Sequence, residues 1–150
     1  EYAKKFGATH GINAGREDAV ARIKELTGGG ADFAFDAIGV PQTMEQLLPA
    51  VRPGVRGLRP EGGTAVLVGV PQGEPKIPMR EIFGDKIYKG SSGGGSRPDH
   101  DFPMYVRWYK EGKLPLDLLV TKRFKLEQVN EAVAALEHGA VLGRAILELA

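Results

Sequence analysis

Thr64-Ala65-Val66-Leu67-Val68-Gly69-Val70 is apolar almost without a break. A half-buried strand alternates apolar and polar residues. A continuous run such as this one has two faces to cover, which marks a central, buried strand of a mostly parallel sheet. Upstream, Asp32–Ile38 (DFAFDAI) has the same character, with apolar residues on both faces. Between the two, Gln42–Val51 reads as a helix through Met44, Leu47, Leu48 and Val51, with Pro49 placed to kink or end it. Strand, helix, strand is the unit of a parallel α/β sheet.

Working outward, Glu1–Gly7 reads as the end of a helix stopped at Gly7, and Thr9–Asn13 as a short strand. Glu17–Thr27 reads as a helix with acidic residues in its first turn and Gly28-Gly29-Gly30 as its stop. Val51–Gly63 is a loop, Gly73–Pro78 a polar turn, Lys86–Gly90 a short strand and Ser91–Pro98 (SSGGGSRP) a flexible loop. Asp101 is placed to cap a helix over 102–111. Leu126–Glu137 is amphipathic and helical, and Gly143–Leu149 closes as a strand. The whole reads as an α/β protein with a doubly wound, mostly parallel sheet, in which ligands bind beyond the carboxyl ends of the strands.

The 150 residues suit one domain, and 42% hydrophobic with 26% charged residues is a globular composition. Twenty Lys+Arg against 19 Asp+Glu leave a net charge of +1, which provides no field to attract nucleic acid. The longest uncharged stretch, Gly62–Gly73, has 12 residues. That is well short of the ~20 needed to span a bilayer. The absence of cysteine excludes disulfides, thiolate metal sites and cysteine nucleophiles in this chain, and suits a cytoplasmic location. Because the chain begins at Glu1 with no initiator Met, it reads as a fragment or processed product.

No G-x-G-x-x-G, G-x-x-x-x-G-K-[ST], H-E-x-x-H or G-x-S-x-G occurs. His10, His100 and His138 read as structural, including the Asp99-His100-Asp101 cluster. Asp36 ends an apolar strand, where its carboxylate either faces a ligand or accepts hydrogen bonds from the following loop. Arg144 precedes the last strand and could pair with phosphate oxygens. Trp108 and Tyr109 read as packing residues on a helix.

Six segments fall together in order and spacing: Phe6–His10, Gly29–Phe33, Asp36–Gly39, Val68–Pro71, Tyr88–Gly90 and Gly143–Leu147. In this the chain resembles the zinc-dependent, medium-chain alcohol dehydrogenases over nearly all of its length. The resemblance covers the carboxyl-terminal portion of that family's coenzyme domain. It implies a single, partial Rossmann-like dinucleotide-binding domain, incomplete because the first strands and glycine-rich turn are missing, and with the GroES-like catalytic domain absent. By the same resemblance Ala37, Ile38 and Gly39 match the adenosine pocket. Val68 and Ser91, flanked by Gly69, Val70 and Ser92, would offer carbonyls to the nicotinamide carboxamide, and the Gly93 amide would donate to it. Arg144 matches a residue that pairs with the coenzyme pyrophosphate.

The resemblance implies NAD or NADP as coenzyme. It also implies zinc in the full-length enzyme, though not bound by this chain, and no catalytic residue within it. Its partners would be the missing amino-terminal part of the same enzyme and a second copy, meeting along the Lys86–Gly90 edge as a homodimer. The function implied is half of a coenzyme site for hydride transfer between an alcohol and NAD(P), with the isolated chain inactive. A catalytically silent α/β binding or assembly domain is the alternative. Leaving about 500 Å² of apolar surface uncovered would forfeit about 12 kcal/mol, comparable to a whole domain's stability, so the chain is expected not to fold alone as a native monomer.

Overall fold

The computed structural model describes residues 2–149, which fall into two compact units divided between Ser96 and Arg97. In the first unit, α1 (Ala19–Thr27) starts at Asp18, whose carboxylate accepts the Ala21 N–H at 3.0 Å. It ends at Gly28, held at φ 68°, a left-handed value that glycine adopts without strain. Strand β1 (Phe33–Asp36), helix α2 (Pro41–Ala50), strand β2 (Thr64–Leu67) and strand β3 (Ile87–Gly90) follow. The sheet order is β1-β2-β3, all parallel, so the Thr64 strand is central as read from its composition.

Register decides the packing. Ala34, Ala65 and Tyr88 are cross-strand neighbours on the face that carries the core of Leu47, Leu48 and Val51 from and just after α2. Met44 and Leu48 are almost fully buried there. Pro49 lies in the last turn, and α2 ends one residue later.

The opposite face corrects an expectation. Phe33 and Phe35 are 64% and 67% exposed, and Ile87 is also exposed. The apolar residues of DFAFDAI are therefore covered on one face only, because α2 packs on that face. Thr9–Asn13 forms no strand, and of the helical end read at Glu1–Gly7, Tyr2–Phe6 form a 3-10 turn while Glu1 lies outside the described residues.

The second unit holds α3 (Pro98–Lys110), β4 (Val120–Lys125), α4 (Val129–Glu137) and β5 (Arg144–Glu148). Helix α3 starts earlier than the reading of Asp101 as its cap. Pro98 takes the first turn, where its missing N–H costs nothing, and the Asp101 carboxylate accepts the Arg97 N–H at 2.7 Å. Strand β4, which composition does not announce, pairs parallel with β5, and α4 is the crossover between them. No helix among the described residues is long and apolar enough to cross a membrane.

Candidate functional site

At the carboxyl end of β1 the chain turns sharply, and Asp36 holds the turn. The residue is 4% exposed. It accepts the Ile38 N–H at 2.7 Å and the Gly39 N–H at 3.1 Å. A short acidic side chain can bond its own backbone two and three residues on in this way. Of the two roles that the sequence leaves open for Asp36, the structure gives the second: it satisfies loop amides.

The same residue fastens this turn to the one after β2. The Asp36 carbonyl accepts the Val68 and Gly69 N–H groups at 2.8 and 2.9 Å, and the Gly39 carbonyl accepts the Gln72 N–H at 2.8 Å. The approach requires glycine on both sides. Gly39 sits at φ 85°, and a Cβ there would lie 2.1 Å from the Val70 carbonyl oxygen. A Cβ on Gly69 would lie 2.5 Å from the Gly39 nitrogen. Tyr88, on the core face beside this end, has its phenol pushed above the ordinary value by burial and by the Asp36 charge.

Beyond β2 and β3 lies a cavity of about 570 Å³, within the range of small-ligand pockets. It is lined by Leu67–Pro71 and Gly90–Gly93. The Ser91 N–H donates to the Leu67 carbonyl at 2.8 Å, which extends the β2–β3 pairing into the rim. Ser92–Gly95 then form a 3-10 turn in which Gly93 and Gly94 take φ 58° and 73°, values open to glycine. The lining contains no titratable side chain. Its polar groups are main-chain amides and carbonyls and two hydroxyls, and no hydrogen bond among the described residues engages the Val68 carbonyl. Such a set can hold a neutral amide in one orientation. It cannot transfer a proton through an acid or base.

The expected site residues are thus distributed in three ways. Val68, Gly69, Val70, Ser91, Ser92 and Gly93 line the one cavity. Ala37, Ile38 and Gly39 form the turn that abuts Gly69 and Val70, with Ile38 exposed. Arg144 belongs to the second unit, where it is exposed at the start of β5 and its guanidinium donates to the Gly143 carbonyl at 3.1 Å. Sequence reasoning passed over Leu67 and Gly90 in the lining and left the part of Asp36 undecided. The signal for Asp36 was its spacing to Gly39, an acidic residue three before a glycine at a strand end.

The histidines are engaged locally: His10 with the Thr9 hydroxyl, His100 with Asp101, and His138 with the Ala134 carbonyl at the end of α4. Trp108 stacks at a tilt on Tyr105, whereas Tyr109 is exposed rather than packed. Its hydroxyl donates to Asp117 at 2.7 Å, and this bond holds the phenol above its ordinary value.

Residues 1–111 match the family model described as zinc-binding dehydrogenase. The chain belongs to that family. It is 32% identical over 149 residues to the class-3 alcohol dehydrogenase of Cereibacter sphaeroides, covering 93% of this chain and 38% of that protein. Against the putative alcohol dehydrogenase D of Mycobacterium tuberculosis the identity is 36% over 146 residues, covering 93% of this chain and 37% of that one. The crystal structure of benzyl alcohol dehydrogenase from Acinetobacter calcoaceticus superposes with a TM-score of 0.85 at 32% identity, over 99% of this chain and 39% of that one. This zinc-binding dehydrogenase chain therefore has a partial Rossmann-like α/β fold and spans about two fifths of its relatives' length. The zinc of the family's description does not fit these residues. Among the described residues no three His, Asp or Glu side chains are grouped to hold a metal, and the sequence has no cysteine.

Proposed function

We propose that the chain is part of an NAD(P)-dependent alcohol dehydrogenase and supplies the nicotinamide side of its coenzyme site. The observation that carries this reading is the cavity at the carboxyl ends of β2 and β3, lined by main-chain groups with none of the lining residues titratable. Ligands of parallel α/β sheets bind at this end of the strands. A carboxamide offers two N–H donors and one acceptor. The Val68 and Ser91 carbonyls accept the former, and the Gly93 amide donates to the latter. Three contacts of fixed direction select which face of the ring is presented for hydride transfer. The bound coenzyme supplies the hydride chemistry, and the chain's own part is to hold and orient. Ile38, exposed on the turn that Asp36 fixes, is read as the apolar contact for the adenosine portion. Arg144 carries an exposed guanidinium suited to pyrophosphate oxygens.

Two surfaces support the proposed partners. Phe33, Phe35 and Ile87 form the open face of the sheet, where the remainder of a coenzyme domain would pack. Strand β3 is an edge, and Phe83, 92% exposed, stands close before it in the chain. A self-pairing of two copies along that edge would cover both.

The activity test is reduction of NAD or NADP by an alcohol, followed by the absorbance of the reduced nicotinamide. The 150-residue chain alone is expected to give no turnover, and turnover is expected when it is joined to the metal-binding part of a relative. Turnover by the chain alone would put the chemistry in residues assigned here only to holding the coenzyme. Absence of coenzyme binding by either form would favour the alternative, a silent binding or assembly domain.

A further inference from the structure

A second cavity of about 380 Å³ lies within the first unit, with Lys24, Arg80, Glu81 and Lys86 in its lining. Lys86 directly precedes β3, so this cavity opens at the amino ends of the strands, away from the turns at 68–71 and 91–93. The Lys86 side chain is 4% exposed. Its ammonium donates to the Leu48 carbonyl at 3.0 Å and to the Glu81 carboxylate. An ammonium has three N–H donors, and no third acceptor is found among the described residues. Lys24 and Arg80 make no ion pair or side-chain hydrogen bond among the described residues. Lys24 is nevertheless close enough to help depress the Glu81 carboxyl. Three cations and one carboxylate therefore line one concave space, an excess of two positive charges. Gly29 and Gly84 line the same space, and no side chain of theirs narrows it.

We propose that this cavity is an oxyanion site for a phosphate-class dianion, with the buried Lys86 ammonium at its floor and Lys24 and Arg80 closing on the ligand. The two spare positive charges match a dianion, the unused Lys86 N–H supplies a directed donor, and the Arg80 guanidinium can present a fork to two oxygens. The site is separate from the coenzyme cavity and stands or falls independently of the proposed function.

The test is calorimetric titration of the protein with inorganic phosphate. The expected result is saturable binding at one site with Kd of about 1 mM or tighter. A Lys24→Gln/Arg80→Gln double variant, altered at exposed positions only, is expected to weaken it about tenfold or more, whereas Arg144→Gln leaves it unchanged. The proposal is overturned if the wild type shows no saturation, or if the double variant binds as the wild type does. It is also overturned if Arg144→Gln abolishes the binding, since the phosphate would then sit on Arg144.

Discussion

At the carboxyl ends of β1, β2 and β3 the chain presents glycines and main-chain groups, with the one carboxylate, Asp36, turned inward onto amides. At the amino ends it presents charged side chains: Lys86 with Glu81, Arg52 with Asp32, and Lys24 and Arg80 beside the second cavity. Both ends are polar, but by different means. Main-chain groups are positioned by the fold itself, so recognition built on them needs no particular side chain but allows almost no backbone displacement. Charged side chains are mobile and individually replaceable. The turns at the carboxyl end should therefore be brittle to small substitutions and the charged side chains at the amino end tolerant of large ones, although the backbone there is close-packed too, a Cβ on Gly62 or Gly63 lying 2.6 Å from the Asp85 or Ala31 carbonyl oxygen.

The sharpest way to break that contrast is at Gly39. Gly39→Ala places a methyl 2.1 Å from the Val70 carbonyl oxygen at a φ of 85°. It should destabilise the unit by about 3 kcal/mol or more, read as a lowered urea midpoint. An unchanged midpoint would show that the two turns can move apart freely. Next in size is Asp36→Ala, which strips the acceptor from two amides and should cost about 2 kcal/mol or more. Asp36→Asn, which keeps one oxygen for them, should recover part of that loss, and coenzyme affinity should follow the same order.

At the amino end, Lys86→Met keeps the apolar stem and leaves Glu81 able to turn to water. The expected cost is about 1 kcal/mol, smaller than at Gly39 although Lys86 is buried, with NADH affinity unchanged. The smallest effect is on pH dependence. The Lys86 hydrogen bond and charge hold the Glu81 carboxyl below its ordinary value of 4.5. A depressed carboxyl contributes stability above its unfolded value, and that contribution is lost as pH falls through the folded one. The urea midpoints of wild type and Glu81→Gln should therefore differ at neutral pH and converge below pH 4.5. A gap that persists in acid would assign the effect to packing instead.

The elements that are legible in the sequence are those whose own residues carry the reason for them. Thr64–Leu67 is central because it is apolar throughout, and α2 is amphipathic over Met44, Leu47 and Leu48. The turns at 68–70 and 91–93 are recognisable through glycine. Strand β4 is not legible, because Val120–Lys125 carries three cations in six residues and reads as a solvated segment. Pairing with β5 makes it a strand, and only Val120 and Phe124 turn partly inward. Thr9–Asn13 fails for the reverse reason, since its composition permits a strand but no partner strand among the described residues pairs with it. The role of Asp36 depends on where the chain turns after it, which the apolar pattern of β1 does not encode.

The most direct test of the account is hydrogen–deuterium exchange of the protein with and without saturating NADH, read by mass spectrometry. Protection is expected in peptides spanning 37–39, 67–71 and 90–95, with 79–86 unchanged. Protection confined to 79–86, or absent from both 67–71 and 90–95, would contradict the assignment of the coenzyme to the carboxyl end of the sheet.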